Sequence, residues 1–131
     1  MKNKILLLLL PALLLASSCS KKTTVKSSMG EMNLGNAVDF SKYLIEVVGK
    51  GDVKAFKSLL SDDLVKTIGK DMLPGVMSQL GTKFTDLTSR YGSVAKIPVG
   101  MAGPNKLKIG DLEMKTMQEK GRLYIKELPK M

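Results

Sequence analysis

Histidine is absent from all 131 residues. That removes the side chain most used for proton transfer near neutral pH, the commonest imidazole metal ligand, and any Ser-His-Asp arrangement. There is a single cysteine, Cys19, so the chain cannot close a disulfide on itself and its stability rests on packing. Tryptophan is absent as well, and three tyrosines and three phenylalanines are the whole aromatic complement. With no basic stripe interleaved with aromatics, a nucleic-acid partner is not expected. No apolar run reaches the roughly 20 residues of a membrane-spanning helix. The 44% hydrophobic and 25% charged fractions are those of one ordinary folded domain, which argues against wholesale disorder.

What is present begins with Lys2 and Lys4, an apolar run over residues 5–16, then Ser17, Ser18 and Cys19. A basic start, a short apolar stretch and small residues at its end form a secretory signal peptide, so residues 1–18 are expected to be removed on export. The sole cysteine falls directly after the small pair. Ala16, Ser17, Ser18 and Cys19 resemble the lipobox of bacterial lipoprotein precursors, in which the cysteine thiol is acylated and cleavage makes it the first residue. Ala16 stands where leucine is commonest in that family, with Leu15 one place further back. Cleavage by the general signal peptidase at the same bond would instead leave a free thiol. The resemblance implies membrane lipid as a partner through acylated Cys19, and a place at the cell membrane or the outer membrane. Ser20, where an aspartate is not found, matches the outer-membrane pattern of many Gram-negative lipoproteins.

Loss of residues 1–18 would take away two lysines and no acid, leaving 19 basic against 12 acidic side chains. The surplus is uneven: residues 92–131 carry eight basic and four acidic groups, residues 38–91 eight and seven. An exported basic surface suits anionic lipid or envelope polymers, although solvated lysines are the commoner use of such a surplus.

Residues 19–35 are polar and lack apolar periodicity, and read as a flexible tether with an end-to-end distance of about 20–25 Å. A single domain over residues 36–131 follows. Asn36 is placed to cap a helix in which Phe40, Leu44, Val47 and Val48 recur at helical spacing up to Gly49. Asp52 then caps a second helix with Phe56, Leu59 and Leu60. Ser61, Asp62 and Asp63 open a third. A fourth is expected from an Asp71 cap, with Pro74 in its first turn and an end at Gly81. Beyond residue 82 the period shortens. Residues 93–99, 106–109, 112–116 and 122–126 read as strands, with a turn over residues 100–105 and a hairpin turn over 118–121. Helices first and strands afterwards predict an α+β domain, its N-terminal helices packed on a C-terminal antiparallel sheet.

The stretch over residues 40–56, with its Gly49-Lys50-Gly51-Asp52 link, and Leu59 to Leu64 after it resemble the opening of small bacterial lipoproteins with a nuclear-transport-factor-2-like fold. The hairpin of residues 114–118 and 121–125 is similar to theirs too. The resemblance implies a cone-like sheet closing over the helices. Tyr124 stands where a tryptophan is frequent in the last strand of that family. Members range from enzymes to inert binding modules, so the fold does not deliver a function.

Candidate chemistries are few. Asp62 and Asp63 are the only adjacent carboxylates, but neighbouring helical positions diverge by about 100°, which favours a helix-start role. Asp39 and Asp52 read as caps. Ser58, Ser61 and Ser78 fall at helix ends or faces, outside any serine–lysine pattern. Residues 100–106 lack the lysine–hydroxyl ending of a phosphate loop. The pairs Met29/Met32 and Met114/Met117 have a spacing that soft copper sites use, but the first falls in the tether and the second on opposite strand faces, so core filling is expected. No catalytic, cofactor or metal residues are assigned; Cys19 lipidation is the one assigned site. Convergence of Asp39, Arg90 and Tyr91 in a pocket would restore an enzyme reading. Otherwise the expectation is a non-catalytic envelope binding module for a protein partner or apolar ligand. The alternative is an assembly factor similar to the mainly helical pilotin lipoproteins.

Overall fold

The computed structural model describes residues 23–130. The expected signal peptide, residues 1–18, and Cys19 lie outside the described residues. The fold is α+β, with helices packing on a four-stranded antiparallel sheet and a small two-stranded sheet beside them.

Helix α1 (Ala37–Lys50) starts where Asn36 accepts hydrogen bonds from the Val38 and Asp39 N–H groups. Phe40, Leu44, Val47 and Val48 form its buried stripe. It passes through the expected stop at Gly49 and ends at Gly51, whose φ of 70° supplies the left-handed cap. Helices α2 (Val53–Ser58) and α3 (Asp62–Ile68) are capped by Asp52 and Ser61 as their spacing predicts. Helix α4 (Leu73–Tyr91) departs from expectation at both ends. Its N-cap is Met72, which makes no side-chain bond, and Asp71 does not cap it. It also runs ten residues past Gly81 because Phe84 and Leu87 continue the stripe of Leu73, Met77 and Leu80. Gly81 is a contact point: a Cβ there would lie 3.2 Å from Val48 Cγ1 of α1.

A 3₁₀ turn (Val94–Lys96) takes the middle of the segment expected to be the first strand, of which only Val99 pairs in the sheet. The meander β3 (Val99–Gly103), β4 (Lys106–Ile109), β5 (Leu112–Glu119) and β6 (Arg122–Glu127) follows, paired in chain order. The turn expected over residues 100–105 is narrower than its glycines suggest, since residues through Gly103 pair with β4. Leu107, Ile109, Met114, Leu123 and Ile125 face Phe40, Phe56 and Leu80, all essentially without exposure. Each such side chain contributes roughly 1.5–3 kcal/mol by leaving water.

The described part of the segment read as a tether, residues 23–35, is the largest correction. Strands β1 (Thr24–Ser27) and β2 (Gly30–Asn33) pair as a hairpin fastened to the body. Met32 and Leu34 are buried, and the Leu34 carbonyl accepts from Leu123 N–H at 2.9 Å. Asn33 N–H donates to the Asp39 carboxylate, and the Ser28 N–H and hydroxyl both donate to Glu46. Leu34, Leu59 and Ser61 thereby cover the outer edge of β6, which would otherwise present unpaired backbone.

Candidate anion-binding groove

Alternation along β6 sends Leu123 and Ile125 into the core and places Arg122 and Tyr124 on the other face. On β5, Met117 stands opposite Tyr124 and Glu119 opposite Arg122. Helices α2 and α3 flank this face because the link between them bonds to β6: Ser61 N–H donates to the Ile125 carbonyl and Ile125 N–H to that of Leu59. A groove of about 810 Å³ results. Its lining includes Lys54, Lys57, Lys66 and Lys120, the apolar Leu60, Val65 and Met117, and the carboxylates Asp62, Asp63 and Glu119.

Arg122 is its unusual member. It is only 8% exposed, yet it bonds to neutral groups alone. Nη2 donates to the Ser58 carbonyl at 3.0 Å and Nε to the Leu123 carbonyl at 3.3 Å. The guanidinium carbon lies 4.1 Å from the centroid of the Tyr124 ring, a cation–π contact. Among the described residues no carboxylate comes within ion-pair distance, and Glu119, its cross-strand neighbour, does not close the gap. Burial pushes the guanidinium pKa down from its usual value, while the oxygens of Tyr124 and Tyr43 pull it the other way. A guanidinium stays protonated at any physiological pH. Burial likewise raises the Tyr43 pKa, helped by the charges of Asp52 and Glu46. The groove therefore holds a desolvated cation with donors to spare, a state that an anion relieves. None of its four lysines is ion-paired among the described residues.

The residues singled out in the sequence do not converge. Asp39 holds Asn33, and Asp52 caps α2 by accepting from Ala55 N–H. Arg90 pairs with Asp86 and Asp111, and Tyr91 is exposed, so the triad that would restore an enzyme reading is not brought together. Ser61 caps α3, the Ser58 hydroxyl donates to the Ala55 carbonyl, and the Ser78 carbonyl accepts from Thr82. Met29 is exposed where Met32 is buried; Met114 is in the core where Met117 lines the groove. Asp62 and Asp63 sit in the first turn of α3, as expected, and also border the groove.

The sequence pattern did not mark Arg122 or the lysines of α2, and marked Tyr124 only as standing in place of a tryptophan. One signal pointed there: the chain uses lysine 19 times and arginine twice, so a fork at a strand position is a selective choice. A second crevice, about 410 Å³ between α1 and α4, is lined by Ile45, Val48, Phe84 and small residues without any charge. No protein-family profile, curated protein or solved structure matches the chain.

Proposed function

We propose that the chain is an exported lipoprotein, held at a bacterial membrane by acyl chains on Cys19, whose domain acts as a non-catalytic binding module. Its nuclear-transport-factor-2-like kinship belongs to the same proposal. The observation that carries the binding role is Arg122, a buried guanidinium without a carboxylate partner, opening on a groove of about 810 Å³. Such a group stabilises a bound anion more than it stabilises the empty protein. The four-stranded sheet counts against the pilotin-like alternative, which calls for a mainly helical body.

The test is affinity capture of the lipidated protein from its native membrane, with proteins and lipids read by mass spectrometry beside an Arg122→Met form and a bare lipid-anchored control. Enrichment that depends on Arg122 supports the reading. Equal recovery from all three baits refutes it.

A further inference from the structure

The place of the groove relative to the anchor carries the reading further, and this step rests on the lipid-anchored proposal. Thr23, the first described residue, stands four positions after Cys19. An extended chain advances at most about 3.6 Å per residue, so the anchor backbone lies within about 15 Å of Thr23. Thr23 lies against the β5–β6 turn: a Cβ built on Gly121 would sit 3.6 Å from Thr23 Cγ2. The residues on either side of Gly121 are Lys120 and Arg122, and both line the groove. Anchoring at Cys19 thus brings the basic groove to the depth of the headgroups.

We propose that the groove seats the phosphate of an anionic phospholipid from the bilayer that holds the anchor. A guanidinium fork matches two phosphate oxygens at once, and a desolvated fork gains most from the match. Lys54, Lys57, Lys66 and Lys120 outnumber Asp62, Asp63 and Glu119 around it, so the groove remains cationic after those carboxylates are counted. The same carboxylates offer acceptors to headgroup hydroxyls, which favours phosphatidylglycerol over a bare phosphate. Met117 and Leu60 provide apolar surface for the glycerol carbons.

The experiment uses the mature chain, residues 19–131, carrying Cys19→Ser so that no acyl chain contributes. It is sedimented with phosphatidylcholine vesicles with and without phosphatidylglycerol, in parent, Arg122→Met, Arg122→Lys and Arg90→Met forms. Binding should require phosphatidylglycerol and weaken about tenfold or more in Arg122→Met, the expected loss of a charge-assisted pair. Arg122→Lys keeps the charge without the fork, should bind several-fold more weakly than the parent, and serves if Arg122→Met fails to melt cooperatively. Arg90→Met should bind as the parent does.

Binding to phosphatidylglycerol vesicles unchanged in both Arg122 variants would overturn the proposal in favour of diffuse lysine attraction. Absence of vesicle binding by the parent would overturn it outright. Free glycerol phosphate bound as tightly as vesicles would replace the headgroup by a soluble phosphate ester. Fatty-acid labelling of the full chain and its Cys19→Ser form reports the anchor separately. Labelling intact with vesicle binding absent removes the headgroup seat and leaves the anchored module standing. Labelling absent removes the anchor, and the placement argument with it.

Discussion

The chain's two arginines occupy corners built on opposite rules. Arg90, at the end of α4, keeps about half its side chain in water and bridges Asp86 at 2.9 Å and Asp111 at 3.1 Å. It ties the helix to the β4–β5 turn, and its charge is satisfied three ways: by water and by two carboxylates. Arg122 begins β6, is buried, and meets only carbonyl oxygens and an aromatic face. The first arrangement is complete in the isolated protein. The second retains an electrostatic deficit that a ligand can fill, and that contrast, more than groove size, marks the functional corner.

If the Arg122 corner is the more rigidly specified of the two, the largest effect should come from its glycine. A Cβ on Gly35 would meet the Gly121 carbonyl oxygen at 2.6 Å, and backbone cannot step aside as a side chain can. Gly35→Ala should cost about 2–3 kcal/mol in urea unfolding and break the Leu34–Leu123 hydrogen bond. Gly92, which ends α4 beside Arg90, would bring a Cβ only into ordinary contact with the Lys96 side chain at 3.9 Å, and has a left-handed φ of 94° to lose. Gly92→Ala should cost about 1 kcal/mol. Equal losses at the two glycines would erase the difference in rigidity.

The next effect lies in the wall of the groove. Ser61 caps α3 through Leu64 N–H while its own N–H joins β6, so one residue fixes both the helix start and its docking. Ser61→Ala should cost about 1 kcal/mol. It should also speed hydrogen exchange at Leu64 while leaving Ser61 N–H protected. Loss of protection at both would mean that the wall detaches as a unit.

Much of this frame was legible beforehand, because helix caps and apolar period are local. Asn36, Asp52 and Ser61 each announced a helix by a polar side chain placed just before a periodic stripe, and each accepts the expected backbone bond. The alternation of residues 106–109 and 112–116 announced strands in the same way. The hairpin over residues 24–33 was not legible. Its polar residues match a linker, and its order comes from long-range bonds to Glu46, Asp39 and Leu123. The groove was hidden for the same reason: Arg122 is buried by helices some 60 positions earlier in the chain, which no local pattern encodes. Glycines misled twice, at Gly49 and Gly81, where a small residue serves close packing or simply continues a helix that tertiary contacts hold.

Replacing Arg122 by an apolar side chain of similar length tests the deficit directly. A buried cation without a counterion opposes folding, while two hydrogen bonds to carbonyls partly compensate. Arg122→Met should therefore leave the ligand-free protein between unchanged and about 1 kcal/mol more stable in thermal or urea melts. A loss of several kcal/mol would show that the guanidinium is a structural strut, and the corner would lose its distinction from that of Arg90.

The smallest effect belongs to Arg90 itself, whose pairs lie in water and are screened by salt. Asp111 feels it most. The hydrogen bond from Arg90 holds the Asp111 carboxyl below its ordinary value near 3.8, with the charges of Arg90 and, more weakly, Lys83 acting in the same sense. A carboxyl whose pKa is depressed by folding contributes stability above its unfolded value and loses it as pH falls through the lower folded value. The small gap between parent and Arg90→Met should therefore be present at neutral pH, narrow as the solution is acidified below the usual aspartate range, and close in molar salt. The gap for Arg122→Met should respond far less to acid, since no carboxylate touches that guanidinium. Parallel acid titrations of the two variants thus separate a charge answered by a protein carboxylate from one answered by none. If both gaps closed together in acid, an unseen acidic partner would be serving Arg122, and the groove would need no anion from outside.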